Sequence, residues 1–241
     1  MKQLVAGAAA LIFSLGLSAQ SQKKDVDVKT QDGSILKASY YSPGRPGPGI
    51  LLLHQCNMDR HAWDGLAQDL ANNGFHVMTL DFRGFGDSGG GGQTDAAART
   101  AMRQKWPSDV DSAFEYLTAQ KGVDKTRLAA GGASCGVTQA SDLTARHKEI
   151  KSLVLLSGSA SDAAKAYFAA TPAVAIFGAA SEGDTNAAKG IKEAVESAKS
   201  SRSQLKIYSG TEHGVPMFAK NPELEPMIVS WLKKQLTGSG I

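Results

Sequence analysis

No run of lysines and arginines occurs anywhere in the 241 residues, and the formal net charge is only +3. Nucleic-acid binding calls for a basic stripe with aromatic side chains between, so that class of function is excluded. Cysteine is scarce: Cys56 and Cys135 are the two present. His54, Cys56 and His61 fall close together in sequence, but no further residues complete a set with zinc spacing, so no metal is expected. No internal repeat, long linker or break in composition divides the chain, which argues for one domain. Long apolar runs are missing too, apart from residues 4–17. That stretch is shorter than the ~20 residues a spanning helix needs, and Gly7, Ser14 and Gly16 interrupt it.

What is there begins with an export signal. Lys2 precedes the apolar stretch and the small residues Ser18, Ala19 and Ser21 follow it. The expectation is a signal peptide over residues 1–21 and a mature domain over 22–241, periplasmic or secreted, with no stable membrane insertion after cleavage. The absence of cysteine near the cleavage region argues against a lipid-anchored lipoprotein. With 42% hydrophobic and 20% charged residues, the mature chain has the composition and length of a single α/β domain.

Two kinds of hydrophobic pattern alternate along it. Residues 25–30 and 35–41 alternate polar and apolar around the turn Gln31-Asp32-Gly33, as an antiparallel hairpin does. Short extended runs follow at 50–53, 75–80, 126–130, 153–156, 173–177 and 205–208; the first, Ile50-Leu51-Leu52-Leu53, reads as a strand buried on both faces. Between them lie helical patterns: one carrying Trp63, Leu66, Ala67 and Leu70 and stopped by Asn72-Asn73-Gly74, one from Ser108 through Leu117, and others near 135–146, 163–168, 185–200 and 226–236. Residues 81–93 read as a Gly-rich loop. Strands alternating with helices give a mostly parallel sheet of about eight strands with helices on both faces. The segment between Leu156 and Ala173 is too short for a lid domain.

Chemistry concentrates at Gly132-Ala133-Ser134-Cys135-Gly136, which matches G-x-S-x-G between a predicted strand and a predicted helix. A sharp strand-to-helix turn lifts the nucleophile clear, and side chains two positions either side would strike the neighbouring elements. Cys135 is the rival nucleophile. Its flanking positions would be Ala133 and the β-branched Val137, which does not fit, so Ser134 is preferred. A serine needs a base. Of His54, His61, His76, His147 and His213, only His147 and His213 follow Ser134, as the order Ser, acid, His requires. His147 falls at the end of the elbow's own helix, whereas His213 sits in a loop after the last strand. Asp184 is the first choice for the acid, Glu182 the second and Asp162 the third. The oxyanion donors are expected to be the backbone N–H groups of Cys135 and Cys56, with Gln55 or Asn57 as alternatives to Cys56.

Together, Leu51-Leu52-Leu53-His54, Trp63, Gly74, the run Asp81-Phe82-Arg83-Gly84-Phe85-Gly86-Asp87-Ser88, the Ser134 elbow, Asp184 and His213 resemble the α/β-hydrolases. The resemblance is to the lidless dienelactone hydrolase-like and esterase branch, and it spans nearly the whole mature chain. It implies the α/β-hydrolase fold and cofactor-independent hydrolysis of carboxylic esters or related acyl bonds of a small-molecule substrate, through an acyl-enzyme. The same triad serves peptidases and thioesterases, and a silent binding protein can keep the fold. Two departures stand out. The family's usual His-Gly is His54-Gln55 here, and dienelactone hydrolases proper carry cysteine where Ser134 stands, so their substrate preference does not transfer. Cys56 and Cys135 occupy the two loops that must converge on one oxyanion. In an exported protein they either form a disulfide bracing the hole or remain free thiols, and the geometry decides.

Overall fold

The computed structural model describes residues 20–89 and 95–238. The expected export signal lies outside the described residues except for Gln20 and Ser21. No helix among the described residues is long and apolar enough to cross a membrane.

The first two strands, β1 (Gln22–Lys29) and β2 (Ile35–Ser42), pair antiparallel with Val28 opposite Leu36. β2 then pairs antiparallel with β4 (His76–Leu80), which lies parallel to β3 (Gly47–Leu53). Beyond β3 come β5 (Val123–Ala133), β6 (Ile150–Leu156), β7 (Ala175–Ser181) and β8 (Gln204–Tyr208), all parallel, so the sheet order is β1-β2-β4-β3-β5-β6-β7-β8. The eight strands and the antiparallel edge agree with the sequence pattern.

Period-two alternation divides the core between the two faces of the sheet. Leu51 and Leu53 of β3 turn toward α3 (Trp106–Thr118), α4 (Cys135–Arg146), α5 (Asp162–Ala170) and α6 (Thr185–Ser197), which contribute Phe114, Leu143, Phe168 and Ile191. Ile50 and Leu52 turn the other way, toward α1 (Asp64–Asn72) and the C-terminal helix Leu224–Leu236, where Leu66, Leu70, Ile228 and Leu232 meet them. All these side chains are buried, and each contributes roughly 1.5–3 kcal/mol by leaving water.

The run beginning at Asp81 is structural. The buried Asp81 carboxylate accepts from the N–H of Arg60 and of Asp87 (2.7 and 2.9 Å) and pairs with the Arg60 guanidinium. Ser88 Oγ donates to Asp81 O (2.9 Å) and accepts from Lys37 N–H (2.8 Å), fastening the loop to β2. Arg83 grips Asp109 of α3 through two nitrogens, at 2.9 and 2.6 Å.

Several elements differ from the sequence reading. β7 begins at Ala175 rather than 173 and continues through Gly178-Ala179-Ala180-Ser181, residues of low strand propensity that are nonetheless buried and paired between β6 and β8. Tertiary pairing overrides propensity here. β5 likewise extends to Ala133, delivering the chain directly to residue 134. Two helices were not anticipated: α2 (Ala96–Arg103), which buries no residue, and the single turn α7 (Met217–Lys220), which precedes α8 (Leu224–Leu236). Part of the predicted Gly-rich loop, residues 90–93, lies outside the described residues.

Candidate active site

Four loops at the C-terminal ends of parallel strands build the site. At the end of β5, Ser134 has φ 52° and ψ −118°, a left-handed conformation rare for a residue with a side chain. Helix α4 begins at once with Cys135, which aims its unpaired N-terminal amides back toward the turn. The flanking glycines are sterically required. A Cβ on Gly132 would stand 2.1 Å from Gly136 O, and one on Gly136 would stand 2.3 Å from Leu53 O. Cys135 is helical and disulfide-bonded, so it is no rival nucleophile.

The second loop follows β7. Asp184 is the residue from which α6 starts, where an aspartate ordinarily caps the first turn. Its side chain makes no capping bond; Oδ2 instead accepts from His213 Nδ1 at 2.5 Å. That bond fixes the imidazole tautomer and leaves Nε2 free to take a proton. His213 comes from the third loop, after β8, and the acid and base loops are zipped together. Gly183 N–H donates to Gly210 O (2.9 Å), and the buried Ser181 Oγ donates to Glu212 O (2.7 Å), just before the histidine. The other acid candidates fall away: Glu182 is exposed, and the Asp162 side chain is fully exposed beside Lys165. Asp184, the first choice from sequence, is the carboxylate that the fold brings to His213.

The base loop also packs on the elbow. A Cβ on Gly214 would lie 3.4 Å from the Ala133 Cβ, so the residue after the base abuts the residue before Ser134. Among the described residues Ser134 Oγ makes no hydrogen bond to His213; in unliganded enzymes this contact is commonly long and tightens with substrate.

After β3 the chain enters the loop expected to supply an oxyanion donor. Cys56 is disulfide-bonded to Cys135 across 79 residues, with Cα atoms 5.9 Å apart. The disulfide alternative is therefore the one the fold adopts, and it pins this loop to the first residue of α4. His54 organises the loop from within. Nδ1–H donates to Gln55 O (2.8 Å), so Nε2 accepts from Phe82 N–H (3.0 Å), and burial holds the imidazole below its ordinary pKa, hence neutral. His61 faces Asp64, and His147 ends α4 against Asp111. His54, Cys56 and His61 are thus each committed elsewhere, and among the described residues no group of His, Cys, Asp and Glu is arranged to hold a metal.

Sequence reasoning weighed Gln55 only as a backbone oxyanion donor and missed the role of its side chain. Its side chain is buried (1% exposed) and joins the oxyanion loop to the base loop: Oε1 accepts from Val215 N–H at 2.9 Å. The departure from His-Gly at this position was the available signal.

The family model for the alpha/beta hydrolase fold matches residues 48–204. The chain belongs to the alpha/beta hydrolase fold family. Solved structures with this fold include an esterase of Pyrococcus furiosus (TM-score 0.69, 18% identity, 89% of this chain and 91% of that one). A dienelactone hydrolase of Anabaena variabilis also superposes (TM-score 0.65, 16% identity, 92% and 100%). At such identities the likeness concerns the fold alone. Two curated relatives, both uncharacterized proteins of Mycobacterium tuberculosis strains, are 33% identical over 119 residues, which is 48% of this chain. The match spans 39% of the length of those relatives.

Proposed function

We propose that this α/β hydrolase is an exported serine hydrolase that cleaves carboxylic esters or related acyl bonds of small molecules through an acyl-enzyme. The observation that carries the reading is the Asp184–His213 hydrogen bond of 2.5 Å, in loops packed beside a serine at positive φ. In this reading Ser134 Oγ attacks the acyl carbon and its proton passes to His213 Nε2. Asp184 stabilises the imidazolium that forms. The backbone N–H groups of Cys135 and Cys56 receive the oxyanion. Nε2–H then protonates the leaving alkoxide, leaving the acyl group on Ser134. Water, deprotonated by the same nitrogen, attacks the acyl carbon; the acid departs and the hydroxyl is regenerated. The Cys56–Cys135 disulfide supports the exported location, since such bonds persist in oxidising compartments.

Chromogenic acyl esters, thioesters and peptide amides presented to the mature chain test the proposal. Ester turnover is expected, falling to background in Ser134→Ala, with an acyl adduct on the Ser134 peptide by mass spectrometry. Undiminished ester turnover in Ser134→Ala contradicts it.

A further inference from the structure

Gln55 is a fully buried polar side chain in the loop after β3, at the position where glycine was expected. Its orientation is not ambiguous. Val215 N–H can only donate, so the atom 2.9 Å away must be the amide oxygen, and the amide nitrogen then donates to Asn57 Oδ1 at 2.8 Å. The Gln55 carbonyl accepts from the His54 ring (2.8 Å) and from Met58 N–H (3.0 Å), so the backbone carrying this side chain is itself held. Gly214 completes the fit. It has φ +72°, and a Cβ there would stand 2.2 Å from Gln55 Oε1. A glutamine at 55 thus requires a glycine at 214, the residue directly after the candidate base.

Resting on the triad reading above, we propose that Gln55 is a positioning residue for His213. Its side-chain amide is the polar link between the loop that supplies an oxyanion N–H and the loop that supplies the base. The oxyanion loop is then tied twice: covalently to the elbow through Cys56–Cys135 and by hydrogen bond to the base loop through Gln55 and Val215. The consequence is registration of the three loops. His213 has its Nδ1 side fixed by Asp184, but its approach to Ser134 depends on where residues 214–215 lie, and Gln55 sets that. Misplacing a catalytic group by about 1 Å costs on the order of 100-fold in rate. The link acts on the chemical step and leaves substrate binding largely untouched.

The test uses the mature chain and a p-nitrophenyl acyl ester, with kcat and KM measured across pH for wild type, Gln55→Ala and Gln55→Glu, and with Ser134→Ala in parallel. Gln55→Ala is expected to lower kcat roughly 10- to 100-fold with KM changed less than about threefold. Gln55→Glu keeps an acceptor for Val215 N–H, so it is expected to recover much of kcat. Its carboxylate beside the base loop favours the imidazolium, moving the acid limb of the kcat/KM profile to higher pH by about 0.5–1 unit. A merely structural role would lower the amount of folded enzyme without moving that limb. Wild-type kcat in Gln55→Ala overturns the proposal. Should Gln55→Ala fail to fold, the near-isosteric Gln55→Met, which lacks an acceptor for Val215 N–H, decides by the same loss of kcat. Activity surviving in Ser134→Ala would instead overturn the triad reading, so the two failures are distinguishable.

Discussion

Ser134 occupies a backbone conformation that costs on the order of 1–3 kcal/mol and that only surrounding structure can maintain. The glycines at 132 and 136 are part of that structure. Gly136→Ala places a Cβ 2.3 Å from Leu53 O and 2.8 Å from His54 O. Both are backbone atoms that cannot rotate away, so a loss of at least ~2 kcal/mol in urea unfolding is expected, together with loss of turnover. Asp184→Asn keeps the shape but removes the charge that fixes the imidazole tautomer, so kcat is expected to fall by about 10³- to 10⁴-fold with little change in melting temperature. These residues were legible in the sequence because each answers a local demand: small side chains around a bend, a histidine after the last strand, an acid after the strand before it. The choice among Asp184, Glu182 and Asp162 leaned on which strand each follows. The fold supplies the stronger reason, since α6 starts at Asp184 and places its carboxylate on His213. The bond made by the Gln55 side chain was hidden for the opposite reason: its partner is Val215, 160 residues away, and the departure from His-Gly marks the position without naming the partner.

At the scale of elements, the loop after β3 is the least self-sufficient part of the site. It is held by the Cys56–Cys135 bond and the neutral His54 ring. Closing 79 residues of chain removes unfolded-state entropy worth up to about 4.5 kcal/mol. Replacing both cysteines, as Cys56→Ser with Cys135→Ser, is expected to cost 2–4.5 kcal/mol in denaturant unfolding, and an unchanged midpoint would show that the crosslink contributes nothing. The strands were readable as apolar runs, but their ends were not. β7 continues through Gly178 to Ser181 because β6 and β8 flank it, and α2 is mostly exposed, with Met102 its one side chain packed against the core. Periodicity reports burial, so an exposed helix leaves a weak trace.

Across the whole molecule, alternating strand and helix patterns sufficed for the architecture because Ile50 and Leu52 bury on one face while Leu51 and Leu53 bury on the other. Two buried histidines set a pH response. Burial holds both His54 and His76 below the ordinary 6.5. The unfolded chain takes up those protons as pH falls through about 6.5, while the folded one refuses them until its lower pKa values are reached. Stability is therefore complete above about 6.5 and declines below it, by up to ~1.4 kcal/mol per pH unit for each histidine. Urea midpoints at pH 7.5, 6.5 and 5.5 are expected to fall at the acid end, with a shallower slope in His54→Gln. A flat profile in the wild type would contradict this.

The central claim, a serine activated by a distant histidine, is tested most directly by reaction of the mature chain with a fluorophosphonate, with the modified peptide then sequenced by mass spectrometry. The account predicts one phosphonyl adduct, on Ser134, that is absent in Ser134→Ala and forms at least 100-fold more slowly in His213→Ala. An adduct elsewhere, or unchanged labelling of Ser134 without His213, would contradict it.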